Sequence, residues 1–240
     1  LAQAPEEQLL KLWGGLGYYN RVRNLQRGAR AVMAEHGGVI PASFEALKKL
    51  PGIGDYTAGA IGSIAFQIPV PAVDGNVLRV ISRVLYRRDN ILDAKVKRRI
   101  EGEIKEILPE RTGDFNQSLM ELGATVCLPN GAPKCNECPL QELCRAHLVG
   151  DEESLPVKTK AKKRKIEQRT VFLLVCDGKI ALRKRPEKGL LAGLWELPSQ
   201  EGMLGCADAG RAAETDGCKA YFFSCGVAYD VLVCRGSIGS

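Results

Sequence analysis

Four cysteines are the residues whose spacing most directly implies chemistry. Cys127, Cys135, Cys138 and Cys144 form Cys-x7-Cys-x2-Cys-x5-Cys, a set spanning 18 residues. A Cys-x2-Cys pair brings two thiolates to one metal centre, and two outer thiolates complete four-coordination. Zinc and a 4Fe–4S cluster both accept four thiolates. The common zinc arrangement has two close pairs separated by a longer loop. Here only the middle two cysteines are paired, which favours the cluster. Pro129, Pro133 and Pro139 stiffen the intervening loop. The other five cysteines (Cys176, Cys206, Cys218, Cys225 and Cys234) lack ligand spacing and read as core or incidental positions.

A second stretch, Leu50 to Arg79, offers a different chemistry. Pro51-Gly52-Ile53-Gly54 lies between two helical patterns. Glycine accepts positive φ and permits close backbone approach. A helix beginning just after such a turn points free N–H groups outward, which suits a phosphate. The same turn also serves as a plain helix–helix connector. Downstream, Asp74 supplies a carboxylate directly before GNVLRV, where it also suits the role of helix N-cap. The two roles are compatible.

These groups need elements to hold them. Glu6 to Trp13 reads as an amphipathic helix stopped by Gly14-Gly15. A helix carrying Arg21, Arg23, Arg27 and Arg30 follows two tyrosines and ends at Gly37-Gly38. The arginines form either a solvated face or, with the tyrosines, a surface for stacking and phosphate contact. Further helices are expected over Phe44–Leu50, Tyr56–Phe66, Gly75–Leu85, Lys95–Leu108 and Phe115–Ala124. Residues 1–148 thus read as an all-α domain, and residues 149–168 as a basic linker, with six Lys or Arg among the eight residues 158–165. Beyond it, TVFLLVC, Asp177-Gly178 and KIALRKR predict a β-hairpin with a two-residue turn. KAYFFSCGVAYDVLVC predicts one or two more strands in a domain over 169–240.

Composition sets the outer limits. The chain has 240 residues, 45% hydrophobic and 26% charged, as in ordinary globular proteins. No apolar run is long enough to span a bilayer. LAQAPEEQLL has neither the basic start nor the apolar core of a signal peptide. A net charge of +6 permits a polyanionic partner without requiring one. Nine cysteines without an export signal argue against a disulfide framework and for metal ligation in a reducing, intracellular compartment. The absence of an initiating Met is expected of a chain that starts partway into a longer protein.

Together, LPGIGDYTAGAI, VPAVDGNVLRV and the four cysteines resemble the helix–hairpin–helix DNA glycosylases, and within them the MutY adenine DNA glycosylases. The likeness begins at LAQAPEEQLLKLWGGLGYYNRVRNL and resumes at GLLAGLWELP, which is similar to the MutY C-terminal domain with its MutT (Nudix)-like fold. The resemblance implies a mainly α fold with a smaller, incomplete α+β Nudix-like domain lacking the Nudix acidic box. It implies a monomer that binds double-stranded DNA containing A:8-oxoguanine or A:G mismatches, carries a 4Fe–4S cluster on Cys127, Cys135, Cys138 and Cys144, and has no membrane partner. The compartment would be the bacterial cytoplasm and nucleoid, or the nucleus or mitochondrion in a eukaryote.

By the same resemblance Asp74 stabilises the sugar cation of base excision, Tyr56 and Asn76 line the site, and Tyr18 wedges into the duplex. Gly52, Ile53 and Gly54 grip a phosphate, and Ser224 is a candidate contact to 8-oxoguanine. Endonuclease III shares the hairpin, aspartate and cluster, but its Schiff-base lysine corresponds to Tyr56, and a phenol forms no imine. A non-catalytic DNA-binding module is a further alternative. The chain departs from the family pattern in four places. The family's general-acid glutamate falls in a segment that would precede Leu1, and neither Glu6 nor Glu7 matches it. The first cysteine gap is seven residues where six is usual. The C-terminal domain reads as shortened after Gly202. The FSH motif stands as Phe223-Ser224-Cys225. An N-terminally truncated chain with little adenine excision of its own is the resulting expectation.

Overall fold

The computed structural model describes residues 1–159, 166–202, 214–215, 218–228 and 231–234, with side chains for residues 1–159 and 167–202. The chain forms two compact units, residues 1–160 and 161–240. Residues 149–159, read as linker from composition, are held on the helical unit. Leu155 is buried with Cys144 and Ala146, and Ile91 N donates to Val157 O at 3.1 Å. Apolar Leu155 and Val157 hold this segment despite the charged residues around them.

The helical unit runs α1 (Glu6–Leu12), α2 (Asn20–Glu35), α3 (Phe44–Lys49), α4 (Asp55–Phe66), α5 (Gly75–Val84), α6 (Ala94–Glu106), α7 (Thr112–Thr125) and α8 (Arg145–Leu148), with 3₁₀ turns at Cys135–Glu137 and Gln141–Leu143. Each sequence-expected helix is present. Local chemistry sets several boundaries. Ser43 caps α3 through Ala46 N, Asp93 caps α6 through Lys95 N at 2.8 Å, and Gln67 ends α4 in a left-handed conformation.

The main core joins α5, α6 and α7 through Val77, Leu78, Val80, Ile100, Ile104 and Leu119. Each fully buried aliphatic side chain contributes roughly 1.5–3 kcal/mol, so this cluster fixes α5, the element that follows Asp74. A second cluster (Leu47, Leu50 and Ala58) anchors the glycine turn between α3 and α4. Asn116 of α7 is buried; it accepts from Ala72 N at 3.2 Å and donates to Ser63 Oγ at 2.9 Å and Val70 O at 3.0 Å. Residues 70–72 are thereby fixed between α4 and α7, and Asp74 follows at once.

In the second unit, β1 (Ile166–Cys176) pairs antiparallel with a long strand, Cys218–Ala228, in the register Ile166↔Ala228 to Cys176↔Cys218. β1 also pairs with Lys179–Ile180 and Ser199–Glu201, and the long strand with Glu214–Thr215 and Val231–Cys234. Arg183–Lys184 pairs with Trp195–Glu196. The expected hairpin is present, with Asp177 and Gly178 both at positive φ, 49° and 70°, as its tight turn requires. Cys176 is disulfide-bonded, where the sequence reading had it core or incidental. Among the described residues this unit contains strands and turns, whereas the α+β reading expects helix as well. Cys206 lies outside the described residues.

Candidate active site and cysteine loop

Asp74 is half-buried at the N-terminus of α5, and both its oxygens are engaged. Oδ1 accepts from Val77 N at 2.8 Å and Oδ2 from Asn76 Nδ2 at 2.9 Å. The N-cap and the candidate catalytic carboxylate are one group. Its orientation is fixed by the helix it caps.

Asn76 is held in turn. Its Oδ1 accepts from Arg79 Nη2 at 3.0 Å; the same nitrogen donates to Gly123 O at 2.6 Å, and Arg79 Nε to Cys127 O at 2.7 Å. Arg79 is only 3% exposed. Burial lowers its pKa from the ordinary arginine value, against which the neighbouring Cys127 pulls. Four residues on, Arg83 donates to Cys127 Sγ at 3.2 Å, Leu128 O at 2.9 Å and Glu152 O at 2.8 Å. A continuous chain of hydrogen bonds therefore runs from Asp74 through Asn76 and Arg79 to the first cysteine.

Sequence reasoning missed Arg79 and Arg83. The available signal was two arginines at i and i+4 on a helix that also carries Val77, Leu78 and Val80. Such residues are almost never buried unless partnered.

Tyr56, on the first turn of α4, donates its hydroxyl to Met120 Sδ at 3.5 Å. Met120 lies one turn before Gly123 on α7. At Gly123 the backbones approach so closely that an added Cβ would sit 2.5 Å from Asn76 Cβ. Tyr56 and Asn76 are thus brought to one stretch of α7. The hairpin residues Gly52 and Gly54 are exposed, whereas Ile53 packs on the second core cluster. Gly52 has φ +83°, and a Cβ there would meet Asn24 Cβ at 2.5 Å, so α2 packs directly on the turn. Tyr18 is 74% exposed at the mouth of α2. Ser224 lies in the second unit, opposite Thr170 in the strand register.

Cys127, Cys135, Cys138 and Cys144 are free thiols lining one cavity with Val80, Val84 and Leu140. Burial and Glu152 push the Cys135 thiol up to about 11, so ligation there must displace a proton. Among the described residues, Cys135, His147 and Glu152 bring their ligand atoms within 4.8 Å of one another. The trio itself is a hydrogen-bonded string: His147 Nδ1 lies 2.5 Å from Glu152 Oε1, which accepts from Cys135 Sγ at 3.5 Å.

Residues 1–106 match the HhH-GPD superfamily of base excision DNA repair proteins. A thermostable thymine-DNA glycosylase structure aligns at 30% identity and TM-score 0.55, over 62% of this chain and 68% of that one. The chain belongs to the HhH-GPD superfamily. An endonuclease III structure, solved in a non-covalent complex with DNA, aligns at 30% identity and TM-score 0.53 over the same shares. The adenine DNA glycosylase of Arabidopsis thaliana is 43% identical over 81% of this chain and 33% of its own length. The human protein of that name is 39% identical over 83% and 45%. That of Buchnera aphidicola subsp. Baizongia pistaciae is 36% identical over 82% and 56%. The chain spans about a third to just over half of these curated relatives. Its helical unit has the mainly α architecture of the superfamily, and no helix among the described residues is long and apolar enough to cross a membrane.

Proposed function

We propose that this chain is part of an adenine DNA glycosylase that hydrolyses the N-glycosidic bond of adenine mispaired with 8-oxoguanine or guanine. The observation that carries the reading is the doubly held Asp74 carboxylate at the start of α5, in a chain 34–43% identical to curated adenine DNA glycosylases. Excision requires the base to leave the stack. The departing sugar passes through an oxocarbenium-like state that a fixed carboxylate stabilises. Asp74 supplies that charge and Asn76 holds its orientation. Tyr56 occupies the wall where a lyase needs an amine, so water rather than the protein completes the reaction. Gly52 and Gly54 present backbone N–H groups to a phosphate, Ile53 closes the turn between them by donating its N–H to Leu50 O at 3.1 Å, and Tyr18 enters the stack.

We assign a 4Fe–4S cluster to Cys127, Cys135, Cys138 and Cys144. Four soft thiols lining one cavity, their sequence spacing with a single close pair and the buried Arg83 against Cys127 support it. The cluster would brace the loop to which Arg79 ties the Asp74 network. The second unit, with Ser224 on its central strand pair, is assigned to 8-oxoguanine recognition on a Nudix-like sheet.

The test is single-turnover adenine release from an A:8-oxoguanine duplex, using this chain extended at its N-terminus with the corresponding segment of a relative. Release abolished by Asp74→Asn supports the proposal. A borohydride-trapped protein–DNA adduct instead points to lyase chemistry. Duplex binding without any base release points to a binding module.

A further inference from the structure

The arginines of α2 do not share one role. Arg23 pairs with Glu6 at 2.7 Å, Arg27 donates to Asn24 Oδ1 at 2.5 Å, and Arg30 donates to Ala2 O at 2.9 Å. These three brace the helix itself or the chain start. Arg21 has no ion pair or side-chain hydrogen bond among the described residues. Its guanidinium instead lies 4.7 Å from the centroid of the Tyr18 ring.

The backbone beneath that ring is unusually constrained. Gly15 and Gly17 have positive φ of 82° and 65°, and Tyr18 itself stands at φ +48°. A bulky residue rarely occupies that region without compensation. Trp13 Nε1 holds Gly17 O at 2.9 Å, and Arg21 N holds Tyr18 O at 2.8 Å. The turn thus fixes where Cα of Tyr18 sits, but the residue is 74% exposed and its ring is left to be oriented by something else. The Arg21 plane is the group in contact with it.

We infer that Arg21 is a positioning residue for Tyr18, stacked on one face of the ring so that the other face is presented to an unstacked base. This rests on the reading of Tyr18 as the residue that enters the duplex. A lone exposed tyrosine samples several χ1 wells, and each must be abandoned on insertion. A guanidinium under the ring selects one well before DNA arrives. It also strengthens the ring as a platform, because bases stack on the remaining π-face. The competing assignment for an unpaired arginine at a DNA-facing helix mouth is direct phosphate contact. The two differ in what they couple to: a positioning role depends on the tyrosine, a phosphate contact does not.

The experiment uses the 240-residue chain and an A:8-oxoguanine duplex with 2-aminopurine beside the 8-oxoguanine, whose fluorescence rises on unstacking. Tyr18→Ala is expected to remove most of that rise. Arg21→Ala is expected to reduce it about two- to fivefold, the population effect of an exposed cation–π contact, with an unchanged slope of log Kd against log salt. In the Tyr18→Ala background, Arg21→Ala should have no further effect. Arg21→Gln, which keeps a planar group without charge, should behave like Arg21→Ala, and unchanged thermal unfolding of both excludes a folding defect. A salt slope reduced by about one, with the same loss in both backgrounds, identifies a phosphate contact and overturns the inference. If Tyr18→Ala leaves the fluorescence rise intact, the insertion reading fails and the inference falls with it. If Tyr18→Ala abolishes the rise while Arg21→Ala leaves it whole, only the inference falls.

Discussion

At the residue scale, Asp74 performs a structural and a chemical task with the same two oxygens, and the tasks are separable by substitution. Asparagine caps helices about as well as aspartate, whereas alanine does not. Asp74→Asn keeps the cap on Val77 N but sets an amide donor against Asn76 Nδ2, so it is expected to lose about 1 kcal/mol, while Asp74→Ala, which loses both bonds, loses about 2 kcal/mol. Urea midpoints measure both. In an N-terminally extended protein both substitutions should abolish adenine release, since neither supplies a negative charge. Equal activity of Asp74→Asn and the parent would remove Asp74 from the chemistry and leave it a cap.

Arg79 makes the complementary case. Its guanidinium serves Asn76 Oδ1, Gly123 O and Cys127 O from a nearly sealed position. Lysine keeps the charge but lacks the fork that reaches three acceptors. Leaving buried carbonyls without donors costs about 1–3 kcal/mol each. Arg79→Lys is expected to lose about 2–4 kcal/mol in denaturant unfolding. A loss under 1 kcal/mol would show that the Asp74–cysteine connection carries little energy.

At the element scale, the hairpin's two glycines are unequal despite their symmetric appearance in the sequence. Gly52 has positive φ, and any Cβ there strikes Asn24; Gly54 has extended backbone and nothing within 4 Å of its would-be Cβ. Gly52→Ala should therefore destabilise the fold by about 1–3 kcal/mol through strain and displacement of α2. Gly54→Ala should leave unfolding unchanged and weaken duplex binding, because a methyl group there occupies space that a phosphate needs. Thermal unfolding and a duplex titration on both variants measure this. A Gly54→Ala chain that binds like the parent would exclude close backbone approach at that turn.

The same comparison shows why some elements were legible in advance and others were not. Helices with strong apolar periodicity and caps, such as α5 and α6, were read from local chemistry because the signals lie within the segment itself. The Asp177-Gly178 hairpin was legible because its turn needs two positive φ values. Asn116, Arg79 and Arg83 were not. Their importance comes from partners 44 to 72 positions away, which no window of sequence contains. The attachment of residues 149–159 was hidden likewise, because local charge outweighed the two apolar anchors, Leu155 and Val157.

At the scale of the whole molecule, the central issue is how much catalytic machinery one chain of 240 residues holds. The Asp74 carboxylate, its supporting amide and the hairpin are all present in the helical unit. By family resemblance the residue that would protonate the leaving adenine is a glutamate, and none of these 240 residues matches it. Glu6 is committed elsewhere, to an ion pair with Arg23 at 2.7 Å, and Glu7 is exposed on the same short helix. A positioned general acid contributes roughly 10²–10⁴-fold, equivalent to about 3–5 kcal/mol of barrier. The polypeptide as it stands is therefore expected to bind an A:8-oxoguanine duplex with the salt dependence of a basic protein while releasing adenine at least about 10²-fold more slowly than the extended protein. Single-turnover rates on the two polypeptides with matched iron content measure the ratio. A ratio near one would mean that Asp74 and its network suffice, and that protonation of the base is supplied by solvent or by a group not yet assigned. A ratio of 10² or more that collapses when the glutamate of the added segment is changed to glutamine would place the acid there.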